Sequence, residues 1–311
     1  MEILVSGSLA FDRIMDFPGL FSDHIMPDKI HNINVSFTVN GLSENFGGTA
    51  GNIAYALSLL GEHPRIVAAI GYDYHRYFEW FQEHGLSTED IRIVPEEATA
   101  SAYINTDQAD NQITAFNPGA MKYPAEFDFG KANPQDCIAI VAPGNLLDMA
   151  EYTSTHQKMG IYTIFDPGQS LPAWTGDNLA MCISQSNLLV SNDYELALIK
   201  EKTGLSDRGI LELAGAIVTT KGEDGCDVST SEGEVTKVPV VPTDNVLDPT
   251  GAGDAFRGGL IKGLIQGVPV ARAAMMGTVC SHYVIQIYGT QKYQFTFEEF
   301  NAKLQQHFGQ G

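Results

Sequence analysis

From residue 137 onward the chain repeats one unit: a short, fully apolar run followed by a helical pattern. Cys137–Val141 is such a run, and Leu146–Met159 reads as the helix after it. The next run, 161–165, ends in Asp166-Pro167-Gly168. Another, 188–190, ends in Ser191-Asn192 and leads into a helix over 194–202 that Gly204 stops; 216–220 is a further run. Strands apolar on both faces and separated by helices predict an α/β fold: a doubly wound, mainly parallel sheet flanked by helices. Asp, Asn and Thr recur just past the strand ends, where ligands bind in open α/β sheets.

The first third breaks this rhythm. Ile33, Val35, Phe37 and Val39 alternate with polar residues, which predicts a strand over 33–39 buried on one face. Residues 99–106 and 112–116 predict a hairpin across 107–111. These segments suggest a small separate β-sheet, serving as a lid over a site, as a dimer surface, or as an edge hairpin only. We place the lid in segments 13–45 and 98–121 of one domain, 1–311, since no linker or repeat divides the chain. The last third is helical. Gly259, Gly263 and Gly267 recur every four residues, which predicts a close backbone approach, and Phe297, Phe300, Leu304 and Phe308 form an apolar stripe.

Charge limits the partners. With 38 acidic and 18 basic side chains the net charge is −20, which repels nucleic acid and anionic membrane surfaces. It leaves room for a nucleotide substrate, whose few phosphates one local positive site or a Mg²⁺ can hold. No apolar run reaches the ~18 residues of a membrane span, and the start, Ile3-Leu4-Val5 after two residues, predicts no secretory leader. The four cysteines, Cys137, Cys182, Cys226 and Cys280, stand apart and read as reduced thiols in apolar segments. Together these features predict a cytoplasmic protein.

The segment with the most chemistry is Asp248-Pro249-Thr250-Gly251-Ala252-Gly253-Asp254-Ala255-Phe256. Its glycines let backbone N–H groups turn toward one point, and the following helix adds the positive end of its dipole, so an anion site forms without a lysine. Asp254 then stands in the first helical turn beside the anion. A carboxylate there is electrostatically awkward unless it takes a proton from an attacking hydroxyl, the layout for phosphoryl transfer to an alcohol. The plain alternative is a helix cap with glycines for packing. A Rossmann fingerprint is excluded because Phe256 occupies the third glycine position, and no Walker A sequence occurs. Gly47-Gly48-Thr49-Ala50-Gly51-Asn52 opens a second helix; two glycines allow close approach to a ligand, and Asn52 supplies a donor and an acceptor. A tight turn is the alternative. Arg257, one turn after Asp254, faces either a phosphate or solvent.

Gly47-Gly48-x-x-Gly51-Asn52 and Asp248 to Phe256 resemble, in order and about 200 residues apart, the two signatures of the ribokinase-like (PfkB) carbohydrate kinase family. The resemblance runs from about 3 to 308. It implies an ATP-dependent kinase acting on a hydroxymethyl group, with Asp254 as base and the amides of Gly251, Ala252 and Gly253 as anion hole. Asn192-Asp193-Tyr194-Glu195 resembles the family's Asn-x-x-Glu element, so Asn192 and Glu195 would organise Mg²⁺ and phosphate, largely through water; a capping box is the alternative. Thr220, Gly222 and Gly225 resemble the ATP-side turn, and Asp12 the aspartate that holds vicinal hydroxyls, with an exposed loop acid as its alternative. In many relatives K⁺ lies beside the anion hole, at positions matching Asp248 and Thr250. A homodimer through the lid is a further implication.

Ser6 to Ile14, the stretch 27–37 and Phe116-Asn117-Pro118-Gly119 are similar to the bacterial adenosine kinases of the mycobacterial type. This implies that adenosine is phosphorylated at its 5′-hydroxyl, with Ser8, Ser36, Gly47, Gly48, Asn52 and Gln169 on the substrate side and Phe116 stacked on the purine. A second aromatic is expected near Ala102, yet the nearest, Tyr103, falls on the opposite face of its strand. A sugar kinase for ribose or fructose is the alternative, and a non-catalytic nucleoside sensor a more distant one.

Overall fold

The computed structural model describes residues 1–26, 31–32, 34–109, 111–231, 233 and 235–309. In chain order the strands are β1 (Glu2–Ser6), β2 (Ala10–Asp16), β3 (Leu42–Gly47), β4 (Arg65–Gly71), β5 (Ile91–Val94), β6 (Ala100–Thr106), β7 (Gln112–Asn117), β8 (Cys137–Val141), β9 (Tyr162–Phe165), β10 (Leu188–Asn192), β11 (Ala216–Thr220), β12 (Cys226–Thr230) and β13 (Val235–Val238). The continuous apolar runs enter one nine-stranded sheet, ordered β13-β12-β11-β10-β9-β8-β1-β4-β5. Every neighbouring pair from β5 to β11 is parallel, and β12 and β13 add an antiparallel edge. All of β8 is buried, as a strand covered on both faces requires. The four cysteines are free and buried. Among the described residues no helix is long and apolar enough to cross a membrane.

A second sheet of four strands, ordered β3-β2-β6-β7, stands apart. Its hairpin β6–β7 falls where the turn-rich segment 107–111 predicts it. The expected strand over 33–39 does not form. Ile33, like Pro27, lies outside the described residues, and 34–39 is unpaired chain. The edge of β2 is bonded instead to β3, from Ala10 opposite Gly47 to Met15 opposite Leu42. The alternation has another cause: Phe37 packs on Phe17, Phe21 and His24, so apolar residues point inward without a strand partner.

The glycine series also divides. In the helix Ala252–Ile265, a Cβ on Gly259 would come within 2.4 Å of the Met276 carbonyl, and one on Gly263 within 2.5 Å of Ala273 Cα. Both permit close packing against the helix Val270–Val284. Gly267 meets nothing within 4 Å and has φ +73, so it ends the helix in a left-handed turn. The final helix, Phe297–Phe308, buries Phe300 and Leu304, while Phe297 is exposed.

Candidate active site

The strand ends and the two glycine segments converge on a cavity of about 730 Å³. Asn192 and Thr220, adjacent in the β10–β11 ladder, form one wall with Glu195, Gly222 and Gly225. The glycine loop Gly251, Ala252 and Gly253, with Asp254 behind it, forms another. Val240, Val241, Val246 and Ile285 give the cavity an apolar end, which the sequence pattern did not mark.

Gly251 is the N-cap of the helix Ala252–Ile265, with φ 81, a left-handed conformation natural to glycine. The N–H of Ala252 donates to the Pro249 carbonyl (3.2 Å), and Gly253 and Asp254, next in the first turn, line the cavity. Asp248 shapes the loop from outside: it accepts from Thr250 N at 2.9 Å and from Gly289 N at 3.3 Å.

Asp254 sits in that first turn. Oδ2 accepts from Nδ2 of Asn52 at 2.8 Å, which joins the two glycine segments at one carboxylate. Burial pushes the Asp254 carboxyl up to about 6, and the charges of Asp166 and Asp12 push the same way; Arg257 and the Asn52 hydrogen bond pull it down. A carboxylate near 6 suits a general base at neutral pH, since it is ionised yet still basic.

Arg257 is not at the solvent: only 7% exposed, it forms an ion pair with Asp166, itself 1% exposed. A Cβ on Gly253 would lie 2.8 Å from Arg257 Nη1, so the guanidinium packs directly against the glycine loop. A largely buried positive charge, paired with Asp166, therefore lies against the loop, and both residues border the cavity.

Each glycine of the first segment has a separate reason. Gly48 has φ +88, and a Cβ there would strike the Ser8 carbonyl at 2.6 Å. A Cβ on Gly47 would strike Asp12 Oδ2 at 2.6 Å. One on Gly51 would sit 2.1 Å from the Tyr77 hydroxyl. Ser8 Oγ accepts from Thr49 N (3.0 Å), and Thr49 Oγ1 donates to the Pro143 carbonyl (2.7 Å), so these hydroxyls fix the helix start.

Asp12 lies within β2, not in an exposed loop. Burial, with the Asp248 charge adding to it, raises its carboxyl to about 6. Asp12 pairs with Ala102, and Ala102 with Phe116, so all three side chains leave the same face of the small sheet. Phe116 is 53% exposed, which excludes core packing for it. Tyr103 occupies the other face, where its hydroxyl accepts from Arg13 Nη1 at 2.8 Å. Ser36 and Gln169 are exposed, and Gln169 borders the cavity. Asn192 and Glu195 do form a capping box: Asn192 Oδ1 accepts from Glu195 N (2.7 Å) and Glu195 Oε2 from Asn192 N (2.8 Å). Both also line the cavity, with Glu195 raised by burial.

The family and the fold are shared with known proteins. Residues 16–295 match the family model described as pfkB family carbohydrate kinase. A nucleoside kinase of Burkholderia thailandensis, solved in complex with inosine, is 39% identical and superposes with a TM-score of 0.87, covering 99% of this chain and 98% of that one. The nucleoside kinase structure of Methanocaldococcus jannaschii is 26% identical, with a TM-score of 0.86 and 99% of each chain covered. A curated nucleoside kinase of Methanothermobacter thermautotrophicus is 27% identical over 93% of this chain and 91% of its own length. The chain belongs to the PfkB family of carbohydrate kinases, ATP-dependent enzymes that phosphorylate a hydroxyl group.

Proposed function

We propose that the protein is a cytoplasmic nucleoside kinase that transfers the γ-phosphate of ATP to the 5′-hydroxyl of a purine nucleoside, adenosine first among them. The observation that carries this reading is the shared face of Asp12 and Phe116. A ribose needs a carboxylate to accept its vicinal hydroxyls, and a purine needs an exposed ring to stack on. A free sugar uses only the first. The nucleoside kinases among the relatives, one of them bound to inosine, support the same reading.

Asp254 takes the proton of the attacking hydroxyl. The first-turn amides around Gly253, with Arg257 behind them, stabilise the charge on the transferred phosphoryl group. Nucleotide occupies the cavity beside Asn192, Thr220, Gly222 and Gly225, its base toward Val241 and Ile285. Among the described residues no cluster of three His, Cys, Asp or Glu side chains is placed to hold a metal by itself. Glu195 and Asn192 would hold a hydrated Mg²⁺ through its waters, and the ion would supply charge neutralisation on the phosphates. Asp248 and the Thr250 carbonyl are the candidates for K⁺. The small sheet acts as a lid over the nucleoside and as the contact of a homodimer.

ATP consumption measured in parallel with adenosine, inosine, guanosine, ribose and fructose tests the proposal. Turnover confined to the nucleosides is expected. Turnover with ribose or fructose alone makes the protein a sugar kinase, and none with any acceptor sinks the reading.

A further inference from the structure

Behind the candidate base runs a chain of buried hydrogen bonds in which Trp80, Tyr77 and Gln291 lie outside both glycine signatures. Trp80 Nε1 donates to Gln291 Oε1 at 2.9 Å. Gln291 Nε2 donates to Asn52 Oδ1 at 2.9 Å and to the Tyr77 hydroxyl at 2.8 Å. The Tyr77 hydroxyl donates to the Gly47 carbonyl at 2.6 Å. Asn52 Nδ2 closes the chain on Asp254 Oδ2. Gln291 is 2% exposed, Asn52 5% and Tyr77 0%, so water does not compete for these groups.

The direction of the chain follows from its first member. An indole N–H only donates, so the Gln291 group facing Trp80 must be its carbonyl. The one O–H of Tyr77 is engaged in its bond to the Gly47 carbonyl, so its oxygen accepts, which again requires the amino group of Gln291 on that side. Asn52 must then meet Gln291 with Oδ1 and present Nδ2 to Asp254. The reversed amide would set an oxygen against the carboxylate. Gly51 makes the room: a Cβ there would lie 2.1 Å from the Tyr77 hydroxyl and 3.0 Å from Gln291 Nε2.

We propose that Gln291, anchored by Trp80, is a positioning residue that fixes the orientation of the Asn52 amide and so holds a donor on the catalytic carboxylate of Asp254. The proposal rests on Asp254 being the base. The other groups facing Asp254 are Arg257 on its own helix, Asp166 beyond β9, Asp12 on β2, Tyr77 and Tyr293. Arg257 favours the ionised carboxylate, and Asp12 and Asp166 oppose it, so losing the Asn52 donor shifts the balance toward the protonated form.

Gln291→Met keeps the length of the side chain and removes both its donor and its acceptor. Trp80→Phe keeps a ring on Phe46 and Tyr55 and removes only the anchoring donor. The readout is the titration of the Asp254 carboxyl carbon by NMR in the substrate-free protein, assigned by its absence in Asp254→Asn. Gln291→Met should raise that titration by about half to one pH unit, with the acid limb of kcat/KM moving alike and kcat recovering at high pH. Trp80→Phe should move it the same way by less, and it serves alone if Gln291→Met does not fold. An unmoved titration in the folded variants, with lowered heat stability only, overturns the proposal. A moved titration in a protein that phosphorylates none of the acceptors would uphold the orientation chain and reject the base assignment instead.

Discussion

Asn52 and Asp254 stand 202 positions apart in sequence and 2.8 Å apart in space, amide nitrogen to carboxylate oxygen. The contact ties the N-terminal turn of the helix Thr49–Leu59 to that of the helix Ala252–Ile265. Two helix N-termini thus point at one region, and the carboxylate lies between them. The positive ends favour an anion there, and the carboxylate can accept a proton without leaving its partner.

The first prediction concerns the base. Asp254→Asn keeps an acceptor for Asn52 but cannot take a proton. Phosphoryl transfer should fall by at least ~10²–10⁴-fold, the usual contribution of general-base catalysis, measured as kcat at saturating substrates. A variant that keeps a third of wild-type turnover would falsify the assignment.

The same substitution should stabilise the fold. Asp254, Asp12 and Asp148 are each raised by burial to about 6, from an ordinary value of 3.8. Between those values the folded chain holds protons that the unfolded chain has released. These groups therefore make stability fall as pH rises through that window, and their cost is fully present above about 6. At pH ~7.5 Asp254→Asn should melt about 2–4 °C higher than wild type; at pH ~4 the gain should vanish. A lower melting temperature at both values would contradict the burial argument.

Activity should show the reverse dependence. The base must be ionised, so kcat/KM should decline below pH ~6 with a limb set by Asp254. Asp12 titrates near the same value, so the limb should be steeper than that of one group. In Asp12→Asn the limb should become shallower while kcat/KM falls throughout. A limb unchanged in shape would remove Asp12 from the substrate site.

For the anion loop, the informative change is Arg257→Met. It leaves Asp166 buried without its partner, so the melting temperature should drop by several degrees. The double change Asp166→Leu with Arg257→Met should regain much of that stability. It should not regain kcat, which needs the positive charge behind Gly253. Recovery of both would make the ion pair purely structural.

Phe116→Ala tests the aromatic face. One stacked base is worth ~1–3 kcal/mol, so adenosine affinity should weaken ~5–150-fold while ATP affinity stays nearly constant. Since Phe116 is 53% exposed, the melting temperature should hardly change. Intact adenosine affinity would remove the best evidence for a purine.

Much of this was legible in the chain, and where it was not the reasons are physical. Runs such as Cys137–Val141 announced a doubly covered strand because no polar residue interrupts them. The loop before Asp254 stood out by its spacing and glycine content alone, and the structure sets it in the wall of the cavity. Alternation misled at 34–39, since apolar packing of Phe37 produces the same period as strand pairing. Arg257 could not be placed, because its partner Asp166 lies far off in sequence. Gln291 carried no signal at all: its role depends on Trp80, Tyr77 and Asn52 meeting around it.

The acceptor itself is the most direct test. Wild-type enzyme would be given ATP with equal concentrations of adenosine and ribose, and the product read by phosphorus NMR. The account predicts one product, a 5′-monophosphate of adenosine, its phosphorus coupled to two methylene protons, with ribose untouched. Phosphorylated ribose with adenosine unchanged would contradict it.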